Sequence, residues 1–149
     1  MPRRNKNMDP EDNYGGLEKL KSDLGLRGRT VGRRPSRGDV WFTDLGKRGL
    51  HIQEGTRPVV IISTGAGLAR VVPITSNMDR GWMKEHVVLT EADLEDAQPL
   101  EPFSQGVALT EQVTTVPDTA FKGYMGRLSR ESEKLTDIGQ ALKAVLCLR

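Results

Sequence analysis

Four β-branched residues in succession, Val59-Val60-Ile61-Ile62, follow Arg57-Pro58 in this 149-residue chain. A run this short and this rich in branched side chains reads as a buried strand. A second apolar run, Val71-Val72-Pro73-Ile74, ends in the paired hydroxyls of Thr75 and Ser76. Thr64-Gly65-Ala66-Gly67 is a glycine-rich turn joining two strands placed at about Pro58–Ser63 and Ala69–Thr75. Asp39–Leu45 contains Val40, Phe42 and Leu45 around polar positions and reads as a first strand. Glu85–Leu89 reads as another, and Val107–Leu109 and Gln112–Thr115 as strand material. Ala92–Ala97 suggests one helical turn with solvated acidic residues, and Phe121–Arg127, with two glycines, a bend.

The last element is a helix. Ser129 is placed at its N-cap, with Glu131 and Glu133 in a first turn that favours negative charge. Leu135, Ile138, Leu142, Val145 and Leu146 form one apolar stripe that would pack on the strands. Several short strands and one terminal helix predict a mainly β protein, a small barrel, and argue against a parallel α/β sheet.

Residues 1–36 are polar and charge-rich, with Pro2, Pro10 and Pro35, and read as a mostly disordered arm preceding a domain at 37–149. A short helix around Leu17–Leu24 would place Leu17, Leu20 and Leu24 on one face. Residues 1–38 hold ten Lys/Arg against five Asp/Glu, which leaves residues 39–149 with a net charge of −3. Nucleic-acid contact therefore has to come from a local patch or from the basic arm. No apolar stretch approaches a membrane span, and the charged N-terminus has no apolar core of a secretory signal. Cys147, the single cysteine, has no internal disulfide partner; its place on the helix stripe suggests a core or interface thiol. A reducing cytoplasm is the expected compartment.

The loop His51-Ile52-Gln53-Glu54-Gly55-Thr56-Arg57-Pro58 runs into the first buried run and is thereby anchored at its far end. It combines a titratable ring with a permanent cation, a pair suited to an anionic ligand such as phosphate. There is no nucleotide-binding glycine loop, no dinucleotide fingerprint and no metal-spaced Cys or His pair. Two histidines in all argue against a histidine-based zinc site, and nothing clusters to support a carboxylate-bound magnesium. No cofactor and no metal is expected.

Four segments taken in order, Arg37-Gly38-Asp39-Val40-Trp41-Phe42, the His51–Ile62 loop and run, Val71–Ser76, and Gly106-Val107-Ala108-Leu109-Thr110-Glu111-Gln112-Val113-Thr114-Thr115-Val116, resemble the MazF/PemK/Kid family of bacterial toxins. The resemblance covers roughly residues 36–149. It implies an SH3-like β-barrel of the CcdB/MazF/Kid type with a C-terminal α-helix, homodimerisation, a cognate antitoxin and metal-independent endoribonuclease activity. RNA carries its own nucleophile, the ribose 2′-hydroxyl. A protein then needs a base for that hydroxyl, an acid for the departing 5′-oxygen and donors for the charge on phosphorus oxygens. The products would be a 2′,3′-cyclic phosphate and a 5′-hydroxyl.

By the resemblance, Arg57 is the anion-binding cation, Thr75 a hydroxyl donor to the scissile phosphate, His51 an acid or base, and Glu111 a candidate base. Gln53, Thr56, Ser76, Gln112 and Trp82 are expected to bind RNA, Trp82 by stacking an unpaired base. His86 and Trp41 read as mainly structural, and so does Trp82 where it does not stack a base. The sequence departs from the family at two positions: Ile52 stands where Glu is usual, and Leu109 where Kid-like members have Arg. Two other readings stay open, a gyrase-directed binding toxin on the same fold and a catalytically weak regulatory relative.

Overall fold

The structure, a computed structural model, describes residues 33–48, 53–79 and 83–148. Pro35–Arg149 makes one compact unit. The expected helix at Leu17–Leu24 and most of the N-terminal arm lie outside the described residues, as do His51, Ile52 and Trp82.

Eight antiparallel strands and one helix build the unit: β1 (Asp39–Asp44), β2 (Thr56–Gly65), β3 (Leu68–Thr75), β4 (His86–Thr90), β5 (Leu94–Glu95), β6 (Gln105–Leu109), β7 (Thr114–Pro117), β8 (Phe121–Leu128) and α1 (Lys134–Val145). The strand order is β4-β6-β3-β2-β1-β8-β5, with β7 also on β3. β3 is the shared strand: Leu68 to Val71 pair with β7, and Ile74 and Thr75 with β6. β6 and β7 thus meet β3 in succession, separated by the 3-10 turn Thr110–Gln112. Register shifts between Ile61 and Ser63 on β2, and at two places along β1 against β8, bend the sheet towards a barrel whose strand path stays open. The sequence's expectation of a mainly β, SH3-like barrel closed off by a C-terminal helix holds in this open form.

The bent sheet buries both faces, which explains why β2 is an unbroken apolar run instead of an alternating one. Val40, Val60, Val72 and Ile74 join one cluster, with Leu89, Phe103, Met125 and Leu128, and α1 covers it through Ile138 and Leu142. Their strand neighbours Trp41, Val59, Ile61 and Val71 join the other, with Tyr124, Ala120 and Leu45. In that second cluster the Trp41 ring lies 5.7 Å from Phe121 and 5.5 Å from Tyr124. His86 and Trp41, expected to be structural, are both buried.

Four local expectations need correction. Phe121–Arg127 is part of a full strand and not a bend. Its glycines permit close approach: a Cβ on Gly123 would lie 1.9 Å from the Glu101 Oε2 atom, so the buried Glu101 side chain occupies the space a larger residue would need. Second, α1 begins at Lys134, because Glu133 takes a left-handed conformation, and Ser129 instead caps the preceding turn through Ser132 N–H at 3.3 Å. Third, Ala92–Ala97 divides into the 3-10 turn Glu91–Asp93 and the short β5, and Asp93 is buried, accepting from Thr90 N–H at 2.8 Å. Fourth, Cys147 lies beyond the helix and is exposed in this chain, so it is not a core thiol.

Candidate active site

The loop between β1 and β2 is fastened at its base before it reaches the site. Leu45 N–H donates to Gly55 O at 2.9 Å, and Gly55 N–H to Gly46 O at 2.9 Å. Gly46 and Gly55 have φ of 72° and 77°, a conformation that glycine adopts without strain. Arg48 ties the loop across to β7: its Nε donates to Leu45 O at 2.7 Å and its Nη1 to Thr114 Oγ1 at 2.9 Å. Glu54 Oε1 in turn accepts from Arg48 N–H at 2.7 Å.

Arg57 is the second residue of β2, half-buried and opposite Thr43 of β1. Its Nε donates to Glu54 O at 2.9 Å and its Nη1 to Gln53 Oε1. Gln53 N–H donates to Gln112 Oε1 at 2.7 Å. Arg57, Gln53 and Gln112, three of the residues singled out from sequence, are therefore one hydrogen-bonded group. A guanidinium has five N–H donors, and the described residues engage two of Arg57's, which leaves a fork for an anion.

Thr75 ends β3 and is 8% exposed. The β2–β3 ladder pairs Val59 with Pro73, after which β3 turns to β6. Arg57 and Thr75 each lie two residues beyond that pair, so side-chain alternation directs them to the same side of their strands. Thr75 Oγ1 accepts from Asn77 N–H at 3.2 Å, which occupies a lone pair and leaves the hydroxyl hydrogen to donate. Thr56, beside Arg57 on β2, points to the opposite side by the same alternation, Ser76 lies in the bend just past β3, and the structure does not group either with Arg57. Glu111 directs Oε1 to His86 Nε2 at 2.8 Å. It is not among Arg57's hydrogen-bond partners within the described residues.

Sequence reading passed over Arg48 and Thr114. Thr114 was within reach, since it stands two residues past Gln112 in a segment the sequence reads as strand material, although Gln112 itself belongs to the 3-10 turn. Arg48 carries no such signal. Gly106, at the start of β6, also shapes the site: a Cβ there would meet Ile74 Cγ2 at 2.4 Å and Thr75 O at 2.9 Å. Because one of these contacts is backbone, Gly106→Ala is expected to destabilise the fold by about 1–3 kcal/mol in urea unfolding. An unchanged midpoint would show that β3 and β6 are not packed this tightly at Thr75.

Among the described residues no three His, Cys, Asp or Glu side chains are grouped to hold a metal ion. No helix among them is long and apolar enough to cross a membrane.

The fold and site together are an open β-barrel capped by one helix, with a guanidinium held where the β1–β2 loop enters β2. Residues 36–146 match the model of the PemK-like, MazF-like toxins of type II toxin–antitoxin systems, and the chain belongs to that family. It is similar to the endoribonuclease PemK of Escherichia coli, at 40% identity over 65 residues, which cover 38% of this chain and 49% of that protein. The matched segment thus spans about half the length of that relative. Among solved structures it is similar to MazF of Deinococcus radiodurans, with a TM-score of 0.61 and 19% identity over 78% of this chain and 99% of that one. An endoribonuclease in complex with its cognate antitoxin, from a mycobacterial species, matches with a TM-score of 0.56 and 22% identity, covering 77% and 97%. These two likenesses concern the fold.

Proposed function

We propose that this toxin is an endoribonuclease that cleaves single-stranded RNA without a metal, by way of the ribose 2′-hydroxyl. The observation that carries this is the Arg57–Gln53–Gln112 group, which holds a guanidinium with donors to spare; strand alternation would direct the Thr75 hydroxyl to the same side. Membership of the toxin family, and the activity in the name of the Escherichia coli relative, support the same reading.

In this mechanism the scissile phosphate lies against Arg57, whose planar fork takes two phosphate oxygens and stabilises the extra negative charge of the pentavalent intermediate. Thr75 donates a further hydrogen bond to those oxygens. His51 moves the proton, as base for the 2′-hydroxyl or acid for the departing 5′-oxygen. Gln53 and Gln112 set the guanidinium, and Thr56, Ser76 and Trp82 are the residues proposed to contact bases flanking the cut. DNA lacks the nucleophile and is not a substrate. The enzyme works in the cytoplasm as a two-fold homodimer and is restrained by an antitoxin whose acidic, disordered segment competes with RNA for Arg57.

Incubation with a long, defined single-stranded RNA in EDTA tests the proposal. The expected result is a discrete set of fragments with 5′-hydroxyl ends. Intact RNA across varied sequences would overturn it and favour a toxin that acts by binding alone.

A further inference from the structure

We infer that the His86–Glu111 pair is a positioning clasp for Arg57, and that Glu111 serves the reaction through this clasp and not as its base. The inference rests on the ribonuclease reading above. It begins with the turn Thr110–Gln112, three residues of 3-10 helix inserted between β6 and β7. Such a turn has poor intrinsic hydrogen-bond geometry, so its conformation is set by what holds its side chains.

Two side chains hold it on the β4 side. Thr110 Oγ1 donates to Glu85 O, and Glu111 Oε1 meets His86 Nε2 at 2.8 Å. The anchor is rigid: the His86 side chain is fully buried, its backbone N–H donates to Met83 O at 3.0 Å, and it pairs with Leu109 in the β4–β6 ladder. On the other side of the turn, Gln112 Oε1 takes Gln53 N–H, and Gln53 Oε1 takes Arg57 Nη1. The contacts therefore run from a buried imidazole, along one short turn, to the guanidinium of the proposed site.

Burial decides the role of His86, and the contact of Glu111 decides the rest. A wholly enclosed imidazole cannot touch RNA, so the His86 contact that reaches the turn is the one to Glu111. Glu111 has one carboxylate oxygen committed to that imidazole. What the pair fixes is the place of Gln112, and a guanidinium must be held to within about 0.5 Å of its productive geometry to match two phosphate oxygens.

Steady-state cleavage of a single-stranded RNA oligonucleotide by the full chain tests this, together with thermal unfolding of each variant. Glu111→Ala is expected to lower kcat by about 10- to 100-fold, the effect of a small misplacement at the reacting centre. Glu111→Gln keeps an acceptor for the imidazole N–H and is expected to restore kcat to within about threefold of wild type. Glu111→Ala and Gln112→Ala combined should lose no more than the worse single variant, because both break one route. An active wild type with Glu111→Gln as slow as Glu111→Ala assigns proton transfer to the carboxylate and overturns the clasp alone. Wild-type kcat in Glu111→Ala, with only a lowered melting temperature, also overturns it by making the pair merely structural. An inert wild type overturns both this inference and the ribonuclease reading.

Discussion

Arg57→Ala is expected to slow RNA cleavage by about 100- to 1,000-fold, the usual cost of removing a preorganised donor to developing oxyanion charge. The fold should barely register the change. The backbone of Arg57 stays paired with Thr43, and the lost side-chain contacts, to Glu54 O and Gln53, belong to the loop. Single-turnover cleavage and urea unfolding on the same preparation separate the two effects. Arg57→Lys should recover part of the rate, since an ammonium keeps the charge but lacks the planar fork. Wild-type cleavage by Arg57→Ala would move the chemistry elsewhere in the molecule. Equal growth arrest by wild type and Arg57→Ala would point instead to a toxin that binds its target without cutting it.

Ile138→Ala should produce the largest loss of stability, about 2–5 kcal/mol, because it removes a fully buried side chain from the core cluster and leaves a cavity. Ile138 has no exposed surface and packs with Leu142 against the cluster built on Val40, Val60, Val72 and Ile74. The helix is further tied to the sheet by Lys134 Nζ, which donates to Val88 O at 2.6 Å. Leu146, just past the helix, is 52% exposed, and its replacement by alanine should change stability by less than about 0.5 kcal/mol. Similar losses for the two variants in urea unfolding would mean that α1 does not cover the core as described.

The sequence made the core strands legible because apolar content alone identifies them: β2 and β3 lie close to the runs at Val59–Ile62 and Val71–Ile74. It misled where a local signal had a tertiary cause. Gly123 read as a chain-breaking residue, yet it sits within β8 because the buried Glu101 side chain needs the space. Ser129 read as a helix cap, while the left-handed Glu133 delays the helix to Lys134. At the site, Arg57 and Gln112 follow from family resemblance and Gln53 from the polar loop that holds it, and the structure joins the three by hydrogen bonds. The His86–Glu111 contact was not legible, because the two residues are 25 positions apart and neither lies on a periodic pattern that would pair them. The contribution of His51 and Trp82 falls outside the described residues.

The most direct measurement uses two oligonucleotides of identical sequence around a mapped cut, one entirely RNA and one with a single 2′-deoxyribose on the 5′ side of the scissile phosphate. Both are incubated with the wild-type protein in EDTA. If the Arg57 group stabilises attack by the neighbouring 2′-hydroxyl, the all-RNA strand is cut to a 2′,3′-cyclic phosphate and a 5′-hydroxyl while the other stays whole. Cleavage of both strands, or of neither, would contradict that chemistry.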